Sequence, residues 1–133
     1  MSSTSGREPW VAVIDDDDFV RRSLARLLRV NGINARTFQS AQEYLGDRPP
    51  TPPACIVLDV HLRDAMSGME LSEHISAEPG SPPVIFITGQ EAEELGPRAG
   101  IGSSVFLRKP FEPTVLLDLV LQRIGRDTLN GMQ

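Results

Sequence analysis

VAVIDDDDFVRRSLARLL, residues 11 to 28, opens with four apolar residues, passes through four consecutive aspartates and continues in a mixed basic and apolar pattern. The run Val11 to Ile14 is rich in β-branched residues and reads as a strand. Beyond the aspartates, Val20, Leu24, Leu27 and Leu28 recur at i, i+4, i+7 and i+8, the spacing of an amphipathic helix. A strand therefore runs straight into a helix, with Asp15, Asp16, Asp17 and Asp18 at the joint. Carboxylates packed side by side repel, and burial raises their pKa values unless a cation or hydrogen-bond donors offset the charge. A positive partner is expected at this point of the chain.

The same alternation continues outward from that joint. INARTF (33–38) is a second, less apolar strand, Ser40 to Leu45 a short helix opened by a serine cap, and CIVL (55–58) a third strand. Gly68 to Ala77 reads as a helix, VIFIT (84–88) and SVFL (104–107) as two further strands. A last helix starts near Pro113, with Val115, Leu116, Leu119, Val120 and Ile124 on one side. Strands alternating with helices imply a parallel sheet covered on both faces, a doubly wound α/β fold. VAVI, CIVL and VIFI are apolar throughout, so they belong in the middle of the sheet. RPPTPPA (48–54) and EPGSPP (78–83) each precede a central strand and read as stiff loops. Residues 1–8 and 125–133 read as tails around a single domain at 9–124.

Composition narrows the function classes. The chain has 133 residues, about one domain, and can bury roughly two-thirds of its unfolded surface without staples. Its 13 Lys and Arg against 18 Asp and Glu leave a net charge of −5, which speaks against a general nucleic-acid binder and for cationic partners. Cys55 is the sole cysteine and lies in an apolar run, so a small buried hydrophobe in a reducing compartment is expected. The start of the chain is polar, and no apolar stretch reaches membrane-spanning length. A cytoplasmic protein without membrane contact is expected.

In open α/β sheets, ligands bind outside the carboxyl ends of the strands, where polar groups from several strands converge. Here those ends carry Asp15 and Asp16, then Asp59, then Thr88, then Arg108 and Lys109. Three carboxylates suit a hard divalent cation such as Mg²⁺, and an aspartate beside such an ion can attack phosphorus. Asp59, alone at its strand end, is the expected nucleophile. Thr88 and Lys109 would donate to the phosphoryl oxygens. Asp17 or Asp18 reads instead as the N-cap of the helix near Phe19. His74 reads as solvent-facing or structural.

IDDDD, VLDVHL, FITG and FLRKPF, in this order and at successive strand ends, resemble the receiver domain of bacterial two-component response regulators. The resemblance spans about residues 9 to 124. It implies a flavodoxin-like five-stranded sheet in the order 2-1-3-4-5 and phosphorylation of Asp59 by a histidine kinase or a histidine phosphotransfer protein. It further implies a metal held by Asp15, Asp16, Asp59 and the main-chain carbonyl of His61, and a switch through Thr88 and Phe106 toward a downstream protein partner. Self-catalysed phosphorylation and dephosphorylation would be side activities of a signalling module, not an enzyme's main reaction.

Two departures from the family's pattern stand out. After the phosphoacceptor, Arg63 replaces the usual proline four residues on, and Gly68 comes nine residues on instead of eight. Between Thr88 and Lys109, where another helix is expected, Gly96, Pro97, Gly100 and Gly102 make it short or irregular and put the usual dimer face in doubt. Two other readings stay open: a receiver-like adaptor that works without phosphorylation, and a small haloacid dehalogenase-type phosphatase with Asp15-Asp16-Asp17 as its Asp-x-Asp motif. Only nine residues follow Ile124, so the expectation is a stand-alone receiver or a fragment, with no DNA-binding domain and no direct contact with nucleic acid in this stretch.

Overall fold

Runs of Val, Ile, Phe and Leu with no polar interruption are suited to strands buried on both faces. The computed structural model, which describes residues 9–62, 66–89 and 105–125, places them there. In chain order the elements are β1 (Trp10–Ile14), α1 (Asp18–Val30), β2 (Asn34–Phe38), α2 (Ala41–Asp47), β3 (Cys55–Asp59), α3 (Gly68–Ser76), β4 (Val84–Thr88), β5 (Val105–Arg108) and α4 (Pro113–Arg123). All strand pairs are parallel, in the order β2-β1-β3-β4-β5. This is the doubly wound, flavodoxin-like arrangement expected from the sequence. The central position of β1, β3 and β4 agrees as well, and every residue of these three strands is buried.

Alternation along the strands divides the core in two. Trp10, Ala12, Ile14, Ile56, Leu58 and Phe86 face one side, where Ala41 and Tyr44 of α2 and Leu71 and Ile75 of α3 close over them. Val11, Val13, Cys55, Val57, Ile85 and Ile87 face the other, under Leu24, Ala25 and Leu28 of α1 and Leu116 and Val120 of α4.

Local chemistry explains the helix ends. Asp17 caps α1 by accepting from the Val20 N–H, and Ser40 caps α2 through the Glu43 N–H. Ser67 and Glu70 form a reciprocal capping box at the start of α3. After α1 the chain turns through Gly32 at φ +80°, a left-handed conformation that favours glycine. Proline stands in the first turn of α4, where no N–H is required. The proline-rich stretch before β3 is a loop held back by the Trp10 indole, which donates to the Thr51 carbonyl at 3.0 Å.

Element ends differ from expectation by a residue or two. β1 starts at Trp10, α2 runs on to Asp47, and β5 ends at Arg108. β5 is only partly buried, so little in its sequence fixes its register. The irregular helix expected between Thr88 and Lys109, Arg63 and Asp64, and both tails except Gly125 lie outside the described residues.

Candidate functional site

Parallel pairing brings the carboxyl ends of β1, β3, β4 and β5 to one edge of the sheet. Asp15 follows β1, Asp59 ends β3, Thr88 ends β4 and Lys109 follows β5. Asp59 and Lys109 line an open cleft of about 540 Å³ there, together with Asp16, His61, Ser67 and Gly89 among others.

The four aspartates divide their work. Asp15 is buried, and its Oδ1 accepts from the Asp17 N–H at 2.8 Å. Asp16 is half-buried, and ligand oxygens of Asp15, Asp16 and Asp59 all lie within 4.8 Å of one another. Asp17 is exposed and serves as the cap of α1. Asp18 turns away to pair with Arg21 and Arg22. The cap is therefore Asp17, and Asp18 opens the helix.

Electrostatics at this edge favour a cation. Burial pushes the Asp15 carboxyl up from 3.8 to about 6; its hydrogen bond from Asp17 and the charge of Lys109 work against the rise, while Asp59 and Asp16 add to it. Its Oδ2 is buried with no hydrogen-bond partner, and so is the Thr88 hydroxyl. Buried polar atoms are normally satisfied, so an unpartnered oxygen within the carboxylate triad and an unpartnered hydroxyl at the end of β4 call for an explanation. A divalent cation with oxygen preference fits the first of them, because three carboxylates are the donor set Mg²⁺ takes alongside waters and phosphate oxygens. An anionic group beside that cation fits the second.

Asp59 is buried, and its Oδ1 accepts from the His61 N–H at 3.0 Å. Lys109 is half-buried at the cleft, and its N–H donates to the Thr88 carbonyl, which ties the ends of β5 and β4 together. His61 lines the cleft with its side chain exposed. Phe106 is half-buried and stacks on Phe86, ring centroids 4.7 Å apart. Phe86 and Thr88 are two residues apart on β4 and share a face, and Phe106 pairs with Phe86 across the strands. Six of the seven residues singled out from the sequence are thus at this edge, and Phe106 lies back along β5. His74 is exposed on α3, away from the chemistry. The phosphatase reading loses its second acidic arm to the cap of α1, and Asp118 is exposed on α4.

Four contributors were not assigned to the site from the sequence. Ser67 and Gly89 line the cleft. Gly68 lies so close to β3 that a Cβ there would sit 2.1 Å from the Asp59 carbonyl oxygen. Arg21 is buried in α1 and donates to the Asp15 carbonyl. For Arg21 a signal existed, since it lies at i−3, i−4 and i−7 from the core residues Leu24, Ala25 and Leu28.

Sheet order and cleft together define a class of protein, the phosphoacceptor modules of two-component signalling. The family model for the response regulator receiver domain matches residues 11–121. The chain is 37% identical over 124 residues to the transcriptional regulatory protein FixJ of Azorhizobium caulinodans, covering 92% of this chain and 58% of that one. It is 39% identical over 118 residues to nodulation protein W of Bradyrhizobium diazoefficiens, covering 88% and 52%. A response regulator receiver protein from Burkholderia phymatum superposes with a TM-score of 0.74 at 34% identity, covering 89% of this chain and 96% of that one. The chain belongs to the response regulator receiver domain family. It spans about half the length of the curated relatives it matches.

Proposed function

We propose that Asp59 is the phosphoacceptor of this receiver domain, loaded by a sensor histidine kinase or a histidine phosphotransfer protein. The observation that carries this reading is the meeting of three carboxylates within 4.8 Å, two of them buried, with an unpartnered buried Thr88 hydroxyl at the same edge. A carboxylate oxygen of Asp59 forms the new bond to phosphorus as the bond from phosphorus to the donor breaks, and the donor leaves with its electron pair. Asp15, Asp16, Asp59 and the His61 carbonyl would hold Mg²⁺, which supplies charge neutralisation for the phosphoryl oxygens. Lys109 offsets the remaining negative charge, and Thr88 donates its hydroxyl to a phosphoryl oxygen.

That last contact is the route outward. A Thr88 drawn toward the phosphoryl group frees space on the face it shares with Phe86, against which Phe106 stacks, and the exposed side of β5 changes for a downstream protein partner. The domain comprises residues 9–124 and works in the cytoplasm, where the buried, unpaired Cys55 is at home.

The test is intact mass after incubation with Mg²⁺ and acetyl phosphate. Wild type is expected to gain one phosphoryl group, and Asp59→Ala or chelation of Mg²⁺ to prevent it. A full gain in Asp59→Ala would move the phosphoacceptor elsewhere, and no gain in wild type would favour the phosphorylation-independent adaptor.

A further inference from the structure

The acidic cluster has a cation close by, and that cation holds the backbone beside the cluster. Arg21 lies on the inner face of α1, at a position the helical pattern reserves for apolar residues, and is only 8% exposed. Burying a guanidinium is costly unless its donors are satisfied. Both of its partners lie in the one short segment that carries the site's acids. Nη1 donates to the main-chain carbonyl of Asp15 at 2.8 Å, and Nη2 to the carboxylate of Asp18. Its ion pair is the one with Asp18.

The effect is mechanical. Asp15 is gripped on both sides of its peptide: its N–H donates to the Phe38 carbonyl at the end of β2, and its carbonyl accepts from Arg21. Asp16 and Asp17 lie between Asp15 and Asp18, the two residues that one rigid planar fork holds together. A guanidinium can do this because its donors have fixed directions, whereas an ammonium presents a single point charge on a flexible stem. With Asp18 occupied by Arg21, one of four adjacent carboxylates is also kept away from the metal cluster, which lowers the repulsion that a fourth would add.

We infer that Arg21 is a positioning residue for the metal site, setting the β1–α1 loop so that Asp15 and Asp16 present their oxygens to a divalent cation before it arrives. The inference rests on the Mg²⁺ site proposed above. Groups that orient metal ligands from behind are commonly worth about 10- to 100-fold in metal affinity.

The experiment is a Mg²⁺ titration of the full chain followed by amide chemical shifts, in wild type, Arg21→Met, Arg21→Lys and Asp18→Asn, at a temperature where each is folded. Arg21→Met keeps the apolar stem and loses both donors, so its Kd for Mg²⁺ should rise about tenfold. Arg21→Lys can reach only one acceptor and should fall between Met and wild type. Asp18→Asn keeps the Asp15 contact and should show a smaller rise than Arg21→Met. A folded Arg21→Met or Arg21→Lys that binds Mg²⁺ as tightly as wild type, whatever it loses in thermal stability, overturns the inference and leaves Arg21 a core residue. Should Arg21→Met fail to fold, Arg21→Lys decides alone. A wild type that binds no Mg²⁺ overturns the underlying site reading instead, so the two failures are distinguishable.

Discussion

Asp15 carries an energetic conflict that a single substitution can expose. Its carboxyl is held near 6, above the ordinary 3.8, chiefly because burial disfavours the charge. In the metal-free protein the folded state therefore binds a proton that the unfolded state has already released. Asp15's contribution to stability is fully present below about pH 4 and is lost as pH rises through about 6. The gap between the two values converts to roughly 3 kcal/mol at most, and solvent at the open cleft reduces it. Asp15→Asn removes the buried charge and should raise the stability of the metal-free protein at pH 7 by roughly 1 to 3 kcal/mol while abolishing stabilisation by Mg²⁺, as urea unfolding with and without the ion would show. Cys55 is the opposite case, a group with no task at the site. Burial pushes its thiol up to about 12, and the native protein should resist iodoacetamide at pH 8 until denaturant is added. Rapid alkylation of the folded chain would contradict a sealed β3.

At the scale of elements, the start of α3 couples stability to the site. Ser67 and Glu70 satisfy two amide donors of its first turn, and removing that box with Ser67→Ala should cost about 1 kcal/mol. Gly68 is a harder constraint, because an added Cβ would meet the Asp59 carbonyl oxygen at 2.1 Å and the Val60 Cα at 2.9 Å. Backbone must move on one side or the other, so Gly68→Ala should cost more than Ser67→Ala in thermal unfolding and also displace Asp59, lowering phosphoryl uptake. Equal stability losses with uptake intact would mean that the loop simply relaxes. The close approach to β3 was not visible in the sequence, where Gly68 registered as the start of a helix and as a glycine one residue late. The central strands were legible because VAVI, CIVL and VIFI have no polar residue to permit another reading. The serine cap of α2 was legible because a capping side chain acts within three residues. The division of Asp15 to Asp18 was legible only in outline. Which of them caps and which faces a metal depends on Arg21 and β3, separated from them in sequence or in space. β5 is half-buried and only four residues long, so its ends shifted.

For the molecule as a whole, the net charge is −5 and three carboxylates meet at one edge of the sheet, where a ligand of opposite sign does more than fill a site. Binding to the folded state alone stabilises it by about 2.7 kcal/mol when the ligand exceeds its Kd a hundredfold. For a domain of this size that is a rise of roughly 10 °C in Tm. The same Asp15 that weakens the metal-free fold above pH 6 must be ionised to contribute to a cation, so Mg²⁺ binding and proton release are linked. Below about pH 6 each further unit of acidity costs the ion up to about tenfold in apparent affinity through this one group. The Tm gain from a fixed Mg²⁺ concentration should therefore be large at pH 7.5 and shrink markedly at pH 5, while the metal-free Tm loses the contribution of Asp15 in the opposite direction. In Asp15→Asn both trends should flatten. A Mg²⁺ gain of equal size at pH 5 and pH 7.5 would mean that the ion is held without Asp15, by Asp16 and Asp59 alone, and that the buried carboxylate is there for the loop and not for the metal.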